Sequence, residues 1–289
     1  MLGRLWRAAA NNYSRAVPGR NNFVHAAHFY PSSRIHYSDV AATVDSAVPD
    51  PTVKNFTAKT DVNLNKMFWS KPCSLALPAD SPLRIEEPHY EGIKRFILKL
   101  MLFYSKQSKS IRGANVIYLR ITSQVDKPAI YNVFRLEKTF KTTFALLVLH
   151  MWLVLRRLKE EGKEGGDLGQ YLYERYNHDV ELRVDKEGVK LLLGKWMKNL
   201  EKIFYGNIVA YDTAMLPEAK KDELQNVIWR NVFQSDDGDS SKVPTDAALV
   251  PLQAMSRYVR RESGCLSLTD KEALFSGNFM FTSLKSSKS

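Results

Sequence analysis

The sequence predicts an all-α protein: a single multi-helix domain around a buried central helix, preceded by a disordered presequence and linker. Three observations carry this. Phe144 to Leu155 is apolar at every position except His150. The segments around it repeat apolar residues at three- and four-residue spacing, the period of a helix with one buried face. No stretch of convincing length alternates apolar with polar residues as a half-buried strand would. A run of about 12 apolar residues is too short to cross a bilayer, which needs about 20. Closed by Arg156, Arg157 and Gly162, it reads as a helix inside a globular core.

Composition bounds the rest. Of the 289 residues, 44% are hydrophobic and 11% aromatic, enough for a sizeable core. The two cysteines, Cys73 and Cys265, support neither a disulfide framework nor a structural zinc site. The net charge of +11 is unevenly placed. Residues 1–38 hold five arginines, no lysine and no acid, with Leu2, Leu5, Trp6 and Ala9 opposite Arg4 and Arg7. That is the pattern of a mitochondrial presequence, with cleavage expected near Arg34 to Ser38. Without it, 37 basic face 31 acidic side chains, a net of +6, so the high isoelectric point is no argument for nucleic acid.

Residues 39–87 carry scattered prolines and read as a mostly disordered linker, with Leu64 to Trp69 as one patch able to dock. The helical domain is expected over 88–281 and a tail over 282–289. Pro88 opens the first helix, whose stripe is Ile93, Phe96, Ile97, Leu100 and Tyr104, widened by Leu98 and Leu102. It predicts a first core helix with a solvated basic face; the same pattern suits an anionic membrane or a partner. Further helices are expected over Gly113 to Ser123 and Tyr131 to Lys138. After the central helix, Gly162 to Gly169 (GKEGGDLG) reads as a flexible connector. Leu168 to Val184 follows, then Val189 to Phe204, with Leu192, Trp196, Leu200 and Ile203 on its stripe and Gly206 at its end. Pro217 opens a helix through Val232, and residues 235–244 form a solvated loop. Ala247 to Ser263 is closed by Gly264. Thr269 and Glu272 predict a capping box for a short helix ending at Gly277.

Motifs of catalysis are missing. There is no GxSxG, HExxH or GxGxxG, and Gly188 to Lys195 has the wrong spacing for a phosphate loop. Glu174, His178, Asp179 and Glu181 share a helical face, but a di-metal bundle needs a second Glu-x-x-His pair. A structural polar network is the better reading; a metal- or lipid-dependent helical enzyme using Glu174 and His178 is the alternative. His150, alone on an apolar helix, is expected to be a hydrogen-bonded core imidazole. Arg156, Arg157, Asp179, Asp212 and Arg230 are expected to neutralise one another across helices. Seven basic residues between Lys94 and Arg120 leave an RNA-binding mitochondrial translation factor as a further alternative.

From about Tyr104 to Phe281 the chain resembles the ubiquinol–cytochrome c chaperone family, most closely its plant-type mitochondrial members. The resemblance is carried by Leu149-His150-Met151-Trp152-Leu153, Arg156-Arg157-Leu158, Gly169-Gln170-Tyr171 and Asn177-His178-Asp179. Phe204-Tyr205-Gly206, Ala210-Tyr211-Asp212 and Trp229-Arg230-Asn231 continue it in the family's order. It implies a non-catalytic assembly chaperone for the cytochrome bc1 complex (complex III), without cofactor, on the matrix side of the inner mitochondrial membrane. It further implies a small helical partner subunit, newly made cytochrome b as client, the mitoribosome nearby and peripheral membrane contact. Shielding an apolar client calls for an exposed apolar groove and a basic face. Groove candidates are Gln170, Tyr171, Tyr173, Tyr211 and Asp212; basic-face candidates are Lys94, Arg95, Lys99, Lys106 and Lys109. Trp152 and Trp229 are assigned to the core.

Overall fold

A computed structural model describes residues 63–87, 90–189, 192–234 and 244–284. The expected presequence, the first part of the linker and nearly all of the 235–244 loop lie outside them. Among the described residues there are nine α-helices and no named strand. In chain order these are α1 Gly92–Leu100, α2 Lys106–Val125, α3 Pro128–Phe134, α4 Phe140–Lys159 and α5 Gly162–Lys186. They are followed by α6 Leu193–Ala214, α7 Glu223–Ile228 running into a π-helical turn Trp229–Phe233, α8 Asp246–Ser267 and α9 Lys271–Ser276.

The central helix is α4. Every residue from Thr142 to Val154 is buried, as an all-round apolar helix requires. It begins where the Thr139 hydroxyl accepts from the Thr142 amide, satisfying one of the free N–H groups of the first turn. Around it pack α2, α5, α6, α8 and the π-helical turn. Large apolar side chains such as Leu146, Leu147 and Trp152 are each fully buried, worth about 1.5–3 kcal/mol apiece for an aliphatic side chain before entropy.

Three glycines expected to interrupt helices lie inside them. The GKEGGDLG stretch is the start of α5, not a connector; only Gly162 turns the chain, with φ +62°. A Cβ on Gly165 would lie 1.8 Å from the Leu158 carbonyl oxygen, so this glycine lets α5 start hard against the end of α4. Gly206 sits mid-helix in open space, and α6 runs on because Ile208, Tyr211 and Ala214 bury beyond it. Gly264 lies within α8, where its bare Cα makes room for the Pro72 ring. The last helix is capped by Asp270, whose carboxylate accepts from the Ala273 amide, rather than by Thr269; Gly277 closes it at φ +71°. Thr269 is buried instead, its hydroxyl donating to the Cys265 carbonyl.

Residues 63–87 were expected to be linker but form an irregular strap across α8 and α9. Leu64, in a short 3-10 turn, is buried as the docking patch predicted. Arg257 donates to the carbonyls of Leu64 (2.7 Å) and Met67 (3.2 Å). The Leu75 amide donates to Thr269 Oγ1, Ala76 bridges Phe279, and Leu77 donates to the Asn278 carbonyl. The Asn278 side chain holds both polar groups of Ile85: it accepts from the amide at 2.8 Å and donates to the carbonyl at 3.1 Å. Backbone groups, not an apolar stripe, carry most of this docking.

Candidate interaction site

The amphipathic pattern of α1 is real, but its apolar face is bare. Ile93 is 80% exposed, Phe96 69% and Leu100 75%, and Ile97, Met101 and Leu102 are exposed with them. This corrects the expectation of a first core helix. At about 100° per residue, Phe96, Leu100, Ile93 and Ile97 fill an arc of about 100°, while Leu98, half-buried, lies on the opposite side. The chain leaves α1 through a tight turn in which Leu102 takes φ 58°. That conformation costs about 1–2 kcal/mol for a non-glycine residue. Arg112 holds the turn from α2: it donates to the Phe103 carbonyl and to Ser108 Oγ, both at 2.8 Å, with its guanidinium 4.2 Å from the Phe103 ring centre.

The predicted basic face divides in two. Lys106 pairs with Glu164 at 3.4 Å and Lys109 with Glu87 at 3.0 Å, so their charge is partly spent within the molecule. Lys94, Arg95 and Lys99 stand exposed on α1.

A second bare surface lies on α6. Val209 aside, the apolar residues from Leu192, just before the helix, through Ile208 span about 160°, more than one core-facing stripe needs. Leu200, Phe204, Ile208 and Tyr211 turn inward; Leu192, Trp196 and Ile203 stay exposed along one flank. The excess width of the arc is the sequence signal that separates them. On the opposite flank of α6, Tyr173 of α5 stacks among Tyr176, Phe204 and Tyr205 and donates to Glu201 at 3.3 Å.

Of the other groove candidates, Gln170 and Tyr171 are half-buried on α5, with Gln170 donating to Glu174 at 2.9 Å. Tyr211 has no exposed surface: it packs 5.0 Å from Trp152 inside the core and offers a client nothing. Asp212 is occupied, accepting from Trp152 Nε1 at 2.9 Å and Arg156 at 3.4 Å. The expected buried network is several separate ones. Asp179 pairs with Arg183 at 2.6 Å and accepts from the Tyr118 hydroxyl at 2.7 Å, while Arg183 grips Asp126 with both terminal nitrogens. Arg157 binds Glu161 at 2.7 Å and the carbonyls of Leu266 and Thr269. Arg230 is exposed on the π-helical turn and joins none of these. Glu174 and His178 are both exposed, and among the described residues no metal-binding group of His, Cys, Asp and Glu is assembled.

His150 is fully buried with both ring nitrogens used. Nδ1–H donates to the Leu146 carbonyl at 2.7 Å, which fixes the tautomer; Nε2 then accepts from the Tyr258 hydroxyl at 2.9 Å. Gln124 donates in turn to Tyr258 and to the Thr282 carbonyl, both at 3.1 Å. Burial pushes the imidazole pKa down to about 4, the Leu146 bond opposing it. A group held neutral between two helices and away from any opening is structural, not catalytic.

Residues 132–282, half of the chain, match the family described as Ubiquinol-cytochrome C chaperone. The chain belongs to that family. The ubiquinol–cytochrome c chaperones are assembly proteins, and this member is not an enzyme. The chain is 27% identical over 223 residues to the human ubiquinol-cytochrome c reductase complex assembly factor 1, covering 75% of this chain and 70% of that one. The Xenopus laevis factor of the same name is 26% identical over 174 residues, with 60% and 81% covered. Protein CBP3, mitochondrial, of Saccharomyces cerevisiae is 28% identical over 156 residues, with 52% and 43% covered. A crystal structure of the Cbp3 homolog from Brucella abortus shares the fold at a TM-score of 0.53 and 25% identity, covering 65% of this chain and 97% of that one.

Within this chaperone several of the residues that carry the family likeness are buried or tie one helix to the next. Trp152, Tyr211 and Asp212 join α4 to α6, Asp179 joins α5 to α2, and a Cβ added to Gly169 would lie 3.2 Å from the Leu155 side chain. These contacts hold the scaffold together. Helix α1 precedes the matched segment.

Proposed function

We propose that this chaperone serves the assembly of the ubiquinol–cytochrome c reductase (bc1) complex in the mitochondrion, on the matrix side of the inner membrane. It shields newly made cytochrome b near the mitoribosome, together with a small helical partner subunit. The family match over residues 132–282 supports this reading, and the names of the relatives give the complex concerned.

The bare flank of α6 supplies the physical means. Leu192, Trp196 and Ile203 present an apolar strip along one flank of α6. A hydrophobic client segment or an amphipathic partner helix buries itself against such a strip by the ordinary area-dependent gain. Because Trp152, Tyr211 and Asp212 lock α6 to the central helix, the strip stays rigid while its occupant changes.

The test is photo-crosslinking from positions 196 and 203 in isolated mitochondria during translation. Labelled cytochrome b or a small partner subunit is the expected product. Normal bc1 levels in a deletion strain would overturn the proposal. The translation-factor alternative has little left, since Lys106 and Lys109 already face acids; it predicts RNA affinity falling steeply with salt.

A further inference from the structure

We propose that α1 is a membrane-surface anchor that lies flat in an anionic lipid leaflet, its apolar face in the acyl boundary and its lysines at the phosphates. Four observations converge on a lipid surface. The exposed face of Ile93, Phe96, Ile97 and Leu100 points away from the domain, and Met101 and Leu102 extend it past the helix end. Lys94 lies about 60° beyond Ile97 on one side of that face and Lys99 about 60° beyond Phe96 on the other. That is where long basic side chains reach headgroups while their stems cover apolar surface. From Gly92 to Val125 the chain holds seven Lys and Arg and no acid, so nothing on α1 repels a phosphate. Nine residues make a helix about 13 Å long, far short of a bilayer, so the helix lies in the surface rather than through it.

Cation-flanked apolar surface favours phospholipid over a protein groove, which would have to present acids on both sides of an apolar trough. The turn at Leu102, held by Arg112, sets the angle at which the domain stands on the lipid. Which membrane is meant rests on the mitochondrial reading above; the lipid contact itself rests on α1 alone.

The experiment is sedimentation of the full chain with vesicles of phosphatidylcholine, alone or mixed four to one with cardiolipin. The wild type is expected to bind the mixed vesicles at least about 10-fold more tightly than the neutral ones. Lys94→Gln/Arg95→Gln/Lys99→Gln should erase most of that difference, up to about 100-fold at about one tenfold step or less per charge. Ile93→Asp/Phe96→Asp should weaken binding to both by more than about 10-fold. All five side chains are exposed, so thermal unfolding of these variants should match the wild type. A nitroxide on Ile97→Cys in a Cys73→Ser background should gain oxygen contact on mixed vesicles and lose contact with a water-soluble quencher. Unchanged binding in both variants with an unshifted nitroxide overturns the proposal. So does loss of a co-purifying protein from Ile93→Asp/Phe96→Asp without loss of vesicle binding, which would make α1 a protein-docking face. Because the assay contains no cytochrome b, its failure leaves the bc1 reading to be judged by the deletion strain.

Discussion

Acidification should loosen this fold through one imidazole. His150 is fully buried, its folded pKa is about 4 and its ordinary value 6.5. Folding therefore favours the neutral ring. The resulting stability is fully present above about pH 6.5, declines as pH falls, and is exhausted below about pH 4. Linkage over that interval amounts to about 3 kcal/mol, of which about 2 kcal/mol is lost between pH 8 and pH 5. Burial explains why: a protonated ring would carry its charge into a site fully shut off from water, and the Leu146 carbonyl offsets only part of that cost. With a urea slope of about 3 kcal/mol per molar, the unfolding midpoint should drop by about 0.7 M from this group. Glu262 works in the opposite sense, since burial raises its carboxyl pKa and folding takes up a proton there. The decisive quantity is therefore the difference between wild type and His150→Gln, in which every other group cancels. Equal midpoint shifts in the two proteins would refute the reasoning. If the variant fails to fold, the His150 ring resonance can be followed by NMR, and titration near pH 6.5 would refute it as well.

Two glycines of opposite role should separate cleanly. Gly165→Ala drives a Cβ to 1.8 Å from the Leu158 carbonyl oxygen and should cost about 2–3 kcal/mol, while Gly206→Ala, in open space, should gain about 1 kcal/mol; calorimetric melting reads both. Arg183→Met strands Asp126 and Asp179, and because all three are partly solvated the loss should be about 1–3 kcal/mol in urea unfolding. Asn278→Ala frees both polar groups of Ile85, so limited proteolysis should cut residues 78–87 sooner while the helical core persists. Trp196→Asp/Ile203→Asp should leave the melting temperature within a few degrees of wild type, yet lower bc1 complex levels in cells.

The helical class and the central position of α4 were legible because a run of apolar residues with one histidine has few other places to go. Less legible were the boundaries at Gly165, Gly206 and Gly264. Glycine stops a helix by its freedom, but it also allows close approach, and only the neighbour it meets decides between the two. Pro72 over Gly264 and the Leu158 carbonyl beside Gly165 are nearly 200 residues and seven residues away respectively, and neither pairing has a local signature. The strap is illegible in the sequence for a related reason: Arg257, Thr269 and Asn278 bind its backbone, which looks alike in every sequence. For the candidate surfaces, periodicity identified α1 and α6 as amphipathic but could not say that the apolar face of α1 remains unpartnered. Tyr211 illustrates the limit from the other direction, since a family-linked tyrosine reads the same whether it meets a client or, as here, Trp152.

The strap ties early residues to late ones: Arg257 holds Leu64, Asn278 holds Ile85, and Arg120 spans from Leu83 to Gly277. A chain made from its amino terminus can close the ties to Arg257, Gly277 and Asn278 only once those late residues are present. The domain thus closes like a belt whose buckle arrives at the end, and a chain that stops short of Asn278 lacks the clasp.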